Sequence, residues 1–205
     1  VRRTVIVRNG GPGLANIGNN STIENNTIAY NAAGIENINS NTNVLIRNNI
    51  IANNTGNGLN LLVAPAPSVK YNCVNSNIKN WNGFATSFGD TTLGFKNTRG
   101  ISSDPFYNLN SNPMFVNIDT NSFALRGGSP CIGSCDTTSP KKPYNTFIDI
   151  GARVYTYGGV IKILANAIVF DSTAIAYQSS KILKVYNTGI SQLVIDNTSI
   201  DSQEF

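Results

Sequence analysis

The chain has 205 residues, of which 40% are hydrophobic and 13% charged, with a net charge of +4 and no histidine. The charged fraction is about half of the roughly 25% usual for soluble domains, but frequent Ile and Val argue against disorder, and a basic excess without a dense stripe argues against a nucleic-acid partner. The lack of imidazole excludes Ser/His/Asp triads and His-ligated metals within this segment, and no apolar run reaches the ~18 residues of a membrane span.

The sequence begins at Val1 without a Met and stops at Phe205 inside a strand-like pattern. It reads as an internal piece of a longer polypeptide, with neighbouring domains of that polypeptide among its partners. Its first third carries a repeat. Ile23-Glu24-Asn25-Asn26-Thr27-Ile28-Ala29-Tyr30-Asn31 returns 23 residues later as Ile46-Arg47-Asn48-Asn49-Ile50-Ile51-Ala52-Asn53-Asn54. A second echo runs through Gly13-Leu14, Gly34-Ile35 and Gly58-Leu59. A period of about twenty-two residues means a solenoid and outranks local propensity.

Three short strands are predicted per repeat. Val5 and Val7, Ile23, and Val44 with Ile46 fit a first strand with one buried face. Thr27-Ile28-Ala29 and Ile50-Ile51-Ala52 give a second, and Gly34 to Ile38 and Gly58 to Leu62 a third. This is one coil of a parallel β-helix; a leucine-rich repeat of similar period demands a stricter Leu framework. Asn25-Asn26 and Asn48-Asn49 fall at the corner between the first two strands. Asn tolerates the left-handed backbone of a sharp corner. Stacked in register, its amide donates to one neighbouring coil and accepts from the other.

Beyond Leu62 the period fades. Ala64-Pro65-Ala66-Pro67 is a stiff loop, Ser68 to Val74 a further strand, and Asn75 to Gly100 a decorated loop whose Trp81, Phe84, Phe88 and Phe95 pack on the solenoid. Cys73, Cys131 and Cys135 are too few for a zinc site; Cys131-Ile-Gly-Ser-Cys135 suits a small disulfide loop in an oxidising compartment, or the three are thiols.

Several segments occur in a telling order: Tyr71-Asn72-Cys73-Val74, Ile101-Ser102-Ser103-Asp104-Pro105, Asn112-Pro113-Met114-Phe115-Val116, Phe123 through Ile132, and Asp149-Ile150-Gly151-Ala152. Together they resemble the last coils and closing segment of secreted bacterial right-handed parallel β-helix proteins of the pectate-lyase-like superfamily. The resemblance covers Val1 to Tyr155 and departs at Gly133 and Val154, where relatives carry acids. It implies that Phe115, Phe123 and Leu125 cover the open end of the solenoid, which otherwise exposes core and strand edges. After a hinge at Tyr157-Gly158-Gly159, Val169-Phe170, Val185 to Gly189 and Leu193-Val194-Ile195 are similar to the start of an immunoglobulin-like module of the abnormal-spindle or choice-of-anchor D type. The expected organisation is all-β: residues 1–157 as β-helix coils, loop and cap, and residues 158–205 as an incomplete Ig-like β-sandwich.

The chemistry is sparse. Glu24 and Glu36 are the only acids before Asp90, too few for a calcium cage of six to eight oxygens. Arg47, one coil from Glu24, suits a surface ion pair worth at most about 1 kcal/mol. Asp90, Asp104, Asp119, Asp136 and Asp149 fall in loops or the cap, and Asp104 suits a turn cap. No catalytic residue, metal ligand or cofactor is assigned. Rows of Asn and Thr with aromatics suit polyhydroxylated sugars, so Tyr30, Arg47 and Trp81 are the candidate carbohydrate contacts. The expected function is an extracellular or cell-surface scaffold or adhesion segment contacting polysaccharide. The alternative is the C-terminal part of a polysaccharide lyase or glycoside hydrolase whose catalytic coils lie upstream.

Overall fold

The computed structural model describes residues 1–38, 43–62, 68–138, 148–155, 161–163 and 185–187. The chain divides into two units, Val1–Tyr155 and Thr156–Phe205. In the first, strands follow one another as β1 (Val5–Val7), β2 (Pro12–Ile17), β3 (Thr22–Glu24), β4 (Thr27–Ala29), β5 (Ala33–Ile38), β6 (Leu45–Arg47), β7 (Ile50–Ala52), β8 (Leu59–Leu61), β9 (Ser68–Lys70), β10 (Cys73–Asn75) and β11 (Trp81–Asn82). They stack as three parallel sheets, β1-β4-β7-β10, β2-β5-β8-β11 and β3-β6-β9. The architecture is a parallel β-solenoid, built as the repeat requires.

The register puts equivalent apolar residues over one another. Ile6, Ile28, Ile51 and Val74 form one column, Ile23, Ile46 and Val69 another, and Leu14, Ile35 and Leu59 a third. These columns form one continuous core. One expected placement changes. Val5–Val7 pairs with Thr27–Ala29, not with Thr22–Glu24, because Arg2 already occupies the place beside Glu24.

Two asparagine ladders run up the solenoid. In the first, Asn26 Nδ2 donates to Asn49 Oδ1 at 2.9 Å, Asn49 to Asn72 at 3.0 Å and Asn72 to Asn108 at 3.1 Å. The second joins Asn9, Asn31, Asn54, Asn77 and Asn80. Each rung also receives the backbone N–H of the coil before it, as Asn49 Oδ1 does from Asn26 at 2.9 Å. The residue preceding every rung except Asn80 turns the corner with positive φ: Asn25, Asn48, Tyr71 and Tyr107 in one column, Arg8, Tyr30, Asn53 and Ser76 in the other. The Asn-Asn dipeptide thus divides its labour: Asn48 supplies the left-handed turn and Asn49 the ladder. Left-handed geometry costs a bulky side chain about 1–2 kcal/mol, so Tyr30 and Tyr71 are held there by neighbours rather than by preference.

The C-terminal part of this unit departs from the expected cap. β12 (Phe115–Asn117) and β13 (Ser122–Leu125) form an antiparallel pair. Phe115, Phe123, Leu125, Cys131, Ile132 and Ile150 pack with Ala29, Ile50, Ala52 and Cys73. Those four alternate with the core residues Ile28, Ile51 and Val74 along β4, β7 and β10, so they face outward from the solenoid. The segment is a strap along the flank of the β1-β4-β7-β10 sheet. It returns past successive coils: Gly151 N donates to Asn48 O at 2.8 Å, Ala152 N to Thr27 Oγ1 at 3.1 Å, and Arg8 Nη2 to Ile118 O at 2.5 Å. The physical reason is the unbroken apolar run Ile50-Ile51-Ala52, which needs cover on both faces. The solenoid's later end is met instead by the decorated loop, whose Trp81, Phe84 and Phe88 pack against the core columns. Asn108 and Leu109 extend the stack beyond it, Leu109 bridging Cys73 in parallel.

In the second unit, β14 (Ile161–Ile163) and β15 (Val185–Asn187) pair antiparallel, with Lys162 opposite Tyr186. The hinge expected at 157–159, the segments 169–170 and 193–195 of the Ig-like resemblance, residues 188–189 of another, and the proline loop at 64–67 lie outside the described residues.

Candidate functional site

Tyr30 stands at a left-handed corner after β4, directly below Asn53 in the corner column. It lines a groove of about 620 Å³ with Asn53, Asn112, Met114, Val116, Asp119 and Arg126. Its ring lies 6.1 Å from that of Phe123, tilted by 50°. Partial burial raises the phenol pKa; Arg8 opposes this and Asp119 adds to it, so the hydroxyl stays a neutral donor and acceptor at ordinary pH.

The far wall of the groove is the strap hairpin. Asn112 Oδ1 accepts from Met114 N at 2.8 Å, and Asn117 Oδ1 from Asp119 N at 2.9 Å. Both amides are thereby oriented, with Nδ2 left as donor. Arg126 Nη2 donates to Val116 O at 2.8 Å, which fixes the guanidinium against the strap. Met114 and Val116 remain exposed. The groove therefore offers an aromatic ring, oriented amides, one carboxylate, one guanidinium and small apolar patches. That set matches hydroxyl-rich ligands with apolar ring faces.

Arg47 lies elsewhere. At the end of β6 its Nη2 sits 2.7 Å from Glu24, as the cross-coil pair requires, and its Nη1 sits 3.3 Å from Asp136 of the strap. Lys70, one coil on, is also 3.3 Å from Asp136. Arg47 lines a separate cleft with Arg2, Arg3, Glu24, Asn25 and Ile148, but its charge is committed to two carboxylates. Burial alone would raise the Asp136 pKa, but the Thr138 amide and hydroxyl and the Lys70 ammonium outweigh it and hold the carboxyl below its usual range. A depressed folded pKa means stability that is present above the free aspartate value of about 3.9 and lost as pH falls through the lower folded value. Urea midpoints should accordingly drop steeply below about pH 4, and more steeply in the native chain than in Asp136→Asn.

Trp81 is half-buried and stands among other aromatics. In β11 it pairs with Leu59. Its ring meets Phe84 edge-on at 5.5 Å and Phe88 at 5.4 Å, and Gly89 passes so close to its Nε1 edge that a side chain there would collide. The three sequence candidates thus occupy three separate places. The strap residues facing Tyr30 carry no repeat, so the sequence held no signal bringing Asn112, Asp119 and Arg126 to it.

Three other loop carboxylates hold turns and clasps. Asp90 caps the short 3₁₀ turn at Thr91–Leu93. Asp104 accepts from the amides of Phe106 and Asn108 at 2.8 Å each and from Gly89 N at 2.9 Å, which is the turn cap expected of it. Asp149 accepts from Gly133 N at 2.8 Å and from Tyr155 N. Gly133 thus uses its own amide to hold Asp149. Among the described residues no cluster of His, Cys, Asp and Glu has the makings of a metal site, and no helix is long and apolar enough to cross a membrane. No protein-family model, curated protein or solved structure matches the chain.

Proposed function

We propose that this chain is an extracellular scaffold or adhesion segment that contacts polysaccharide through the groove at Tyr30 and performs no catalysis in this segment. The groove carries the reading, because it joins an aromatic ring to oriented amides on a rigid support. The engagement of Asp90, Asp104, Asp136 and Asp149 in turns, clasps and ion pairs argues in the same direction, since glycoside hydrolysis needs two carboxylates facing one bond. Within this reading the solenoid is right-handed and of the pectate-lyase-like kind, and residues 158–205 begin an Ig-like module.

The test is binding of soluble polysaccharides by the native chain and by Tyr30→Asn. Asparagine already occupies the same left-handed corner at Asn53, so the variant should fold. Loss of ring stacking and burial is expected to weaken binding about tenfold. Absence of binding by any glycan at millimolar concentration, or equal affinity of the two proteins, would overturn the proposal.

A further inference from the structure

We propose that Cys73 and Cys131 form a disulfide that staples the flanking strap to the solenoid. The inference stands on the packing of the strap and is independent of the sugar-binding reading. Cys73 projects outward from β10, in register with Ile50 of the coil below. Cys131 follows the Ser129-Pro130 turn of the strap. Both are fully buried in the same cluster, and Cys73 is the side chain that bears most strongly on the Cys131 thiol.

Cys135 is the partner that sequence proximity favours, but it is turned to other atoms. Its Sγ–H donates to Asp149 O at 2.8 Å, and its sulfur accepts from Asn25 Nδ2 at 3.7 Å. Cys73 has a weaker hold, a 3.1 Å bond to Ser111 O. Pairing Cys131 with Cys135 would break the contacts that clasp Asp149 and the Asn25 corner. Pairing it with Cys73 disturbs one sulfur hydrogen bond.

Burial, and after it the neighbouring Cys73, push the Cys131 thiol well above the ordinary range, so thiolate is scarce in the folded chain. The bond therefore closes as the strap docks during folding, not by later oxidation of the finished structure. The oxidant is a small-molecule disulfide. One cysteine thiolate attacks it, releasing one thiol and leaving a mixed disulfide; the second cysteine thiolate attacks the protein sulfur of that bond and releases the other thiol. The two cysteines lose two protons and two electrons, and the small disulfide becomes two thiols.

The experiment refolds the full chain in a buffer of reduced and oxidised glutathione, alkylates it after denaturation, and maps the peptides by mass spectrometry without reduction. The expected result is a Cys73–Cys131 cross-link with Cys135 alone alkylated. Reduction should lower Tm by roughly 5–10 °C, the scale for a loop of several tens of residues in a unit of this size. Cys135→Ser should keep both the cross-link and the Tm difference. A Cys131–Cys135 link, a Cys73–Cys135 link, or three alkylated cysteines in the refolded native chain would overturn the proposal, and none of these outcomes bears on glycan affinity.

Discussion

Asn49→Leu is expected to lower the unfolding free energy of the solenoid by about 3–5 kcal/mol, against less than about 1 kcal/mol for Asn57→Leu. Asn49 is fully buried. Its Nδ2 donates to Ile23 O, Arg47 O and Asn72 Oδ1, and its Oδ1 accepts from both the backbone N–H and the Nδ2 of Asn26. Leucine fills similar volume but supplies none of these bonds. It strands donors of the coil before and acceptors of two strands where water has no access, and each stranded group costs roughly 1–3 kcal/mol. Asn57 is half-buried, and its backbone carbonyl, accepting from Gly34 N at 2.8 Å, survives the substitution. Asn48→Leu should fall between the two. It loses the bond from Asp136 N to Asn48 Oδ1 and forces a branched side chain into left-handed geometry, but it leaves the ladder whole. Urea titration of the three variants gives the order directly; equal midpoints would remove the ladder from the account.

The second large effect is expected from a single methyl group. Gly34→Ala should cost about 2–3 kcal/mol, the range of an overpacked core. A Cβ at Gly34 would run into the carbonyl of Gly58 and come within 2.7 Å of Ile51 Cγ2. The carbonyl cannot step aside, because Ile35 N donates to it at 2.8 Å and β5 depends on that bond for its register with β8. Gly13 and Gly58 stand in the same column, and a Cβ on either would run into the next coil, at Ile28 Cγ2 for Gly13 and at Asn80 O for Gly58. Coils are thus spaced by backbone hydrogen bonding, with no room for a methyl group at this corner. Gly10→Ala is the control: nothing lies within 4 Å of its Cβ position, so its melting temperature should stay within a degree or two of the native value.

What could be read beforehand follows from this geometry. The repeat Ile23–Asn31 over Ile46–Asn54 was legible because stacking makes chemically equivalent positions recur at the length of one coil. The glycine echo was legible for the same reason. The division of roles within each Asn-Asn pair was not, since left-handed corner and ladder rung both favour asparagine; Tyr71-Asn72 and Tyr107-Asn108, where only the second position keeps the amide, carry that information. The flanking strap was misplaced because Phe115, Phe123 and Leu125 read only as apolar mass. The signal lay in the solenoid instead: β7 is apolar at three consecutive positions, Ile50, Ile51 and Ala52, all buried, whereas β8 alternates Leu59, Asn60 and Leu61. A strand apolar on both faces requires a second covering layer. Of the candidate site, Tyr30 was legible as an aromatic in an asparagine row. Its partners come from the strap, some ninety residues away, and no local pattern links them. Arg47 and Trp81 were chemically reasonable, but ion pairing and aromatic packing claim them first.

The vertical stacking of the coils is tested most directly by the side-chain amide protons of Asn49 in solution. Nuclear Overhauser contacts to the amides of both Asn26 and Asn72, with slowed exchange against solvent, are the predicted result. Asn49 amide protons that exchange as fast as those of Asn57, with no contact to either residue, would contradict the account.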